Sequence, residues 1–227
     1  MKKALSRRGK SVICVAVLFV VCACLFLAVF WWNGRDYTEL TLEEEYYLLV
    51  RDCKTTTASA VSGQVYLSGG AGYLIGEDTV VVACYFTKND AEFVQETMRA
   101  KGGETHILEY KPEALYLYGD RAVEAAAIQS NAKTADTCAR ILFDTANGLE
   151  RSTLTQDEAR TAVRGVVSSL KGLREGNEGD IYARWNTALQ RTERRGRELS
   201  SGILFAKDLR YLQVELCVAV SEISQMF

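Results

Sequence analysis

A run of 21 residues, Val12 to Trp32, carries no charged side chain. At about 1.5 Å rise per residue such a helix is roughly 30 Å long, the thickness of a bilayer's hydrocarbon core. The sequence therefore predicts a transmembrane helix over residues 11–32. Trp31 and Trp32 close the run where an interfacial aromatic belt belongs, and Lys2, Lys3, Arg7, Arg8 and Lys10 precede it, while the first acidic residue is Asp36. By the positive-inside bias, residues 1–10 form a basic cytoplasmic tail and the part after the span lies outside the cytoplasmic membrane, a single-pass arrangement. A cleaved signal peptide would have a shorter apolar region ending in small residues, whereas this run ends in Phe30, Trp31 and Trp32.

The formal net charge is −2, from 27 Lys plus Arg and 29 Asp plus Glu. Setting aside the five basic residues of the tail leaves 22 against 29, so the rest of the chain is net −7. A protein that neutralises phosphates presents the opposite sign, which argues against nucleic acid as a partner. Seven cysteines fall into two groups: Cys14, Cys22 and Cys24 in the apolar run, and the widely spaced Cys53, Cys84, Cys138 and Cys217. With no Cys-x-x-Cys pair and a single histidine, zinc is not indicated. Outside the cytoplasm a disulfide among the last four is chemically allowed; in apolar patterns such as those around Cys84 and Cys138, buried free thiols are the commoner outcome.

The outer part divides by composition. Residues 33–67 read as a linker: an acidic, partly helical stretch around Glu43 to Leu49, then a Thr/Ser-rich spacer. After Gly69-Gly70-Ala71-Gly72 the pattern changes. Thr79 to Phe86 is an apolar, β-branched run of strand length. Thr87 with Asp90 opens a helix whose apolar face is Ala91, Val94 and Met98, with Phe93 beside them, and Gly102-Gly103 ends it. Thr105 to Tyr110 and Ala114 to Tyr118 read as strands about a turn at Lys111-Pro112-Glu113, and a helix follows from Arg121 to Leu149. Residues 151–227 contain only helix formers, in two segments, Gln156 to Leu173 and Asp180 to Met226, with a potential break at Ser200-Ser201-Gly202. The apolar surface of the last segment is more than a lone solvated helix tolerates; folding back on Val163, Val166, Val167 and Leu170 as a hairpin buries it, and a coiled coil or docking surface for another protein is the alternative.

The order strand, helix, strand, turn, strand, helix resembles the sporulation-related repeat, or SPOR domain, placed here at residues 68–150. The resemblance rests on Gly69-Gly70-Ala71-Gly72-Tyr73 leading into Val80-Val81-Val82-Ala83-Cys84-Tyr85-Phe86, on Asn89-Asp90-Ala91-Glu92, and on Lys101-Gly102-Gly103. It implies a βαββαβ module of a bacterial envelope protein that binds peptidoglycan glycan strands, especially strands stripped of stem peptides. Val82 and Cys84 stand where many members carry a Gln and a Gly. The fold class expected is α+β: an N-terminal transmembrane helix, a SPOR-like module, and a helical C-terminal extension.

A glycan face needs flat aromatic rings for the sugar's C–H surface and polar partners for its hydroxyls. In the strand ending at Tyr118, Leu115 and Leu117 point one way and Tyr116 and Tyr118 the other, so these tyrosines are the first candidates, with Tyr85 and His106 as neighbours. Packing of the same rings against the helical extension is the competing reading. Catalytic constellations are lacking: His106 has no identifiable nucleophile, Gly70, Gly72 and Gly76 miss the dinucleotide spacing, and Ser168 to Lys171 matches S-x-x-K without its companion motifs. The resemblance, with the apolar run and the lack of a catalytic constellation, implies a non-enzymatic, membrane-anchored glycan-binding protein that needs no cofactor or metal. The alternative is a structural protein of sporulation or division whose module and helical tail mediate protein contacts.

Overall fold

In the computed structural model, which describes residues 24, 37–177 and 179–227, the segment Tyr46–Asp52 (β2) is the central strand of a sheet. Its Leu48, Leu49 and Val50 are all fully buried. A strand covered on both faces loses the alternation that marks a half-wet one, which is why Tyr46 to Val50 reads as helix when judged by periodicity. The expected partly helical stretch is thus corrected to strand. β2 pairs antiparallel with Thr79–Tyr85 (β4) on one side and His106–Tyr110 (β5) on the other, and β4 pairs antiparallel with Tyr73–Ile75 (β3), giving the order β3-β4-β2-β5. Leu49 faces Ala83 and Val50 faces Val81, so Val82 bulges out of the ladder.

The Thr/Ser-rich spacer is also corrected. Thr55–Leu67 (α1) is a helix, held by only two buried side chains, Ala58 and Val65. Tertiary contact with β3 and β4 overrides its weak intrinsic propensity. Lys88–Ala100 (α2) begins where expected, with the Thr87 hydroxyl accepting the Asp90 N–H at 3.2 Å. The chain from Tyr46 to Tyr110 runs β-α-β-β-α-β with every neighbouring strand pair antiparallel, the split βαβ arrangement. This order starts two strands earlier than the sequence suggested, so Val80 to Tyr85 belongs to its third strand, not its first. Leu115–Tyr118 (β6), expected to continue the sheet, instead pairs with Tyr37–Leu40 (β1) in a separate two-stranded ribbon.

Ala122–Glu150 (α3), Gln156–Gly176 (α4), Ala183–Leu199 (α5) and Ala206–Ser221 (α6) follow. The long final segment of the sequence reading is broken, as its Ser-Ser-Gly suggested, between α5 and α6. α4 and α5 run antiparallel: Arg174 Nε donates to the Glu193 carboxylate at 3.1 Å, and about one turn further along α5 Gly196 lies against Val167, whose methyl a Cβ there would meet at 2.9 Å. α6 is buried nearly all round from Leu212 to Ser221, because α5 covers one side and the sheet the other. The apolar tail surface is therefore consumed inside the chain by three helices rather than a two-helix hairpin.

The sheet carries helices on both faces. α1 and α2 lie over the face of Leu49, Ala83 and Tyr85; α6 lies over the face of Leu48 and Cys84, where Gln213 Nε2 donates to the Cys84 carbonyl at 3.0 Å. Tyr73 stacks edge-on with Tyr211 of α6, the Tyr110 hydroxyl donates to Glu222 at 2.6 Å, and Phe86 meets Phe143 of α3 edge-on.

One element of the expected fold class is overturned. Among the described residues no helix is long and apolar enough to cross a membrane. The deeply buried α6 has 16 residues, about 24 Å at 1.5 Å each, and the longer α3 is interrupted by Lys133, Asp136, Arg140 and Asp144. The transmembrane helix expected over residues 11–32 lies, Cys24 apart, outside the described residues. What stands is an α+β fold of small sheets and many helices. Its residues fall into two compact units, the smaller containing residues 37–38 and 116–122 and the larger residues 39–115 and 123–227.

Candidate glycan-binding surface

In the smaller unit the alternation of β6 is realised: Leu117 is buried at 6% exposure while Tyr116 and Tyr118 are exposed at 54% and 69%. Tyr37 on β1, 59% exposed, meets Tyr116 edge-to-face with ring centroids 5.5 Å apart. The strand ends are tied together by Thr38, whose hydroxyl donates to the Gly119 carbonyl and accepts the Arg121 N–H, both at 3.1 Å. The result is three outward tyrosines on a short ribbon whose backbone is pinned by one threonine. Their rings offer flat apolar surface to a sugar's C–H face, and their hydroxyls donate and accept.

The other two candidates do not join them. Tyr85 and His106 lie in the larger unit, on the four-stranded sheet and on opposite faces of it, Tyr85 with Leu49 and His106 opposite Val50. Tyr85 is half-buried, stacks edge-on against Phe143 at 6.1 Å, and has its hydroxyl pushed up to about 12, chiefly by burial. His106 is exposed, with Nδ1 3.6 Å from the Asp52 carboxylate. So the aromatic face expected on the sheet is covered by helices at Tyr85, and the exposed tyrosines stand on the ribbon. Tyr37 escaped the sequence reading because it sits in what looked like a linker; its signal was the alternation Tyr37-Thr38-Glu39-Leu40.

The larger unit also holds a cleft of about 1220 Å³ where α1 and α2 diverge over the sheet. Leu49, Ala83 and Tyr85 form its floor, Phe93 and Met98 one wall, and Arg210, paired with Glu150, its rim. No motif could announce it, since its lining spans residues 49 to 210. Among the described residues no group of three or more His, Cys, Asp or Glu side chains could hold a metal ion. Ser168 and Lys171, the S-x-x-K pair, lie exposed on α4, where Lys171 faces Glu175 at 3.6 Å instead of activating a serine.

No family model, no curated protein and no solved structure matches the chain.

Proposed function

We propose that this chain is a non-enzymatic binding protein of SPOR type that recognises peptidoglycan glycan strands through the tyrosine ribbon. The observation that carries the reading is the cluster Tyr37, Tyr116 and Tyr118, three large aromatics held at more than half exposure by a pinned two-stranded ribbon. Exposed rings of this kind cost solvation unless a ligand covers them, and sugars are the ligands whose alternating C–H faces and hydroxyls suit tyrosine. A βαββαβ order of the kind a SPOR module has runs over Tyr46 to Tyr110, not over the residues 68–150 on which the resemblance rests.

A second reading is favoured by a different observation. The sheet face of Leu48 and Cys84 is sealed by α6, with Gln213, Tyr211 and Glu222 engaged. A module closed in this way suits a structural or assembly role in sporulation or division, with protein contacts and no glycan. Co-sedimentation of the full chain, purified in mild detergent because of its apolar run, with peptidoglycan bearing or lacking stem peptides separates the two. The first reading expects the protein in the pellet, more of it with denuded strands. Protein left in the supernatant with both preparations supports the second.

A further inference from the structure

Charge is unevenly spread along the larger unit. Residues 183–210 carry seven Lys plus Arg against three acids, net +4, whereas the rest of the chain beyond its first ten residues carries 15 against 26, net −11. Most of the excess sits on α5, where Arg184, Arg191 and Arg195 fall on one stripe of the helix with Arg194 beside them, all four exposed. The opposite side of α5, with Trp185, Leu189, Thr192 and Gly196, is buried. Of the three acids, Glu193 is buried between Arg174 and Arg197, Asp208 accepts the Tyr66 hydroxyl, and Glu198 is exposed at the end of the stripe. Among the described residues neither Arg191 nor Arg194 has a carboxylate within ion-pair reach.

Three exposed apolar side chains stand beside this stripe. Ile203 and Phe205, in the loop joining α5 to α6, are 68% and 55% exposed, and Leu67, the last residue of α1, is 77% exposed. The loop is held in this attitude by Leu204 between them, which is buried and whose N–H and carbonyl are both bonded by the Gln156 side chain at 2.9 Å. Lys207 joins the loop to the end of α1, its ammonium lying 4.6 Å from the Tyr66 ring centre and 5.7 Å from that of Phe205. Tyr66 in turn shares a cavity of about 410 Å³ with Arg195 and Tyr211, and the Arg195 guanidinium sits 4.1 Å over the Tyr211 ring. Apolar tips and arginine stripe therefore form one continuous patch.

We propose that this patch docks on the surface of an anionic phospholipid bilayer. Ile203, Phe205 and Leu67 enter the boundary between headgroups and acyl chains, while Arg191, Arg194, Arg195 and Lys207 meet the phosphates and acidic headgroups above it. Both halves of the patch call for this partner. A soluble phosphate would engage the cations and leave the three apolar tips in water, and an apolar protein face would cover the tips and strip water from unpaired arginines. The same surface repels the rest of the larger unit, which is acidic, so the docked orientation is fixed by charge. The docking uses no residue of the tyrosine ribbon and stands apart from glycan recognition.

Because the uncharged run Val12 to Trp32 would bring the full chain to lipid by itself, the test reads the patch locally. The full chain, with photoreactive benzoylphenylalanine in place of Phe205, is reconstituted in nanodiscs of phosphatidylcholine with or without an equal part of phosphatidylglycerol and irradiated. The lipid adduct on the peptide containing position 205 is then measured by mass spectrometry. A second protein carries the same group in place of Phe93, an exposed residue of α2. The expected result is an adduct at position 205 in the anionic discs at least about fivefold above that in phosphatidylcholine and above that at position 93, because each basic side chain near an anionic surface multiplies the docked population several-fold. High salt should reduce it. Arg191→Ser, Arg194→Ser and Lys207→Ser combined should remove the excess; if that variant folds poorly, the comparison of the two lipids without these substitutions decides. Equal adduct at position 205 in the two lipids, no more adduct there than at position 93, or capture of a second copy of the chain in place of lipid overturns the proposal.

Discussion

Gly72 and Gly76 share a backbone conformation and differ in surroundings, so the same substitution at each separates two costs. Their φ angles are +62° and +63°. A Cβ at Gly76 meets nothing within 4 Å, whereas one at Gly72 lies 2.6 Å from the Ser62 carbonyl oxygen and 3.1 Å from the Tyr66 nitrogen, both backbone of α1. The Ser62 hydroxyl also donates to the Gly72 carbonyl at 2.5 Å, locking the approach. Left-handed backbone costs a non-glycine residue about 1–2 kcal/mol, offset by about 0.4–1 kcal/mol from the less flexible unfolded chain. Gly76→Ala should therefore destabilise by about 1 kcal/mol. Gly72→Ala adds an overpacking cost of about 1–3 kcal/mol, because the helix backbone cannot rotate away as a side chain would. Thermal unfolding followed by circular dichroism should place Gly72→Ala roughly 2–12 °C below Gly76→Ala, at about 2–4 °C per kcal/mol for a domain of this size. Equal melting temperatures would refute the close packing of β3 against α1.

Three further outcomes are expected. Burial raises the Glu215 carboxyl above its ordinary range against the opposing Thr192 hydroxyl, 3.0 Å away, and the charges of Arg195 and Arg191. Since the folded value is the higher, its stabilising contribution is complete below the unfolded value and is lost as pH rises through the folded one. Glu215→Gln keeps an acceptor for Thr192, so it should melt higher than wild type at neutral pH and converge with it in acid; a lower neutral melting point contradicts this. Thr155→Ala removes a capping box in which the threonine hydroxyl accepts the Glu158 N–H at 3.3 Å while the Glu158 carboxylate accepts the Thr155 N–H at 2.8 Å; chemical denaturation should show a loss of about 1 kcal/mol. Leu48→Ala, at a fully buried position between β4 and β5, should lose about 2–5 kcal/mol in the same assay, and a loss below 1 kcal/mol would deny β2 its central place.

Elements with a chemical punctuation mark were legible in the sequence. Thr87 and Asp90 announced α2, Gly102 its end, Ser200 to Gly202 the break before α6, and the Leu/Tyr alternation of β6 its exposed face. Elements whose pattern is set by what covers them were not. β2 is apolar on both faces because α6 and the α1/α2 layer sandwich it, so period two disappears. α1 looks like a spacer because its Thr residues and Ser59 face solvent and its buried side chains are only Ala58 and Val65. Both misreadings have one source: the strand read as the first of the module is its third, and β6, read as part of the sheet, belongs to a ribbon. Of the site, Tyr116 and Tyr118 could be read from alternation, whereas the Tyr37 contact depends on the pairing of β1 with β6, which no local signal encodes.

The central claim is tested most directly by the equilibrium affinity of the full chain for soluble, stem-peptide-free glycan oligomers, measured by calorimetry beside a variant with Tyr37, Tyr116 and Tyr118 all changed to alanine. Each lost ring contact is worth about 0.5–1.5 kcal/mol. The account predicts saturable binding by the native chain and a loss of at least tenfold in the variant, with its melting temperature unchanged. Equal affinity in the two proteins, or no binding by the native chain, contradicts it.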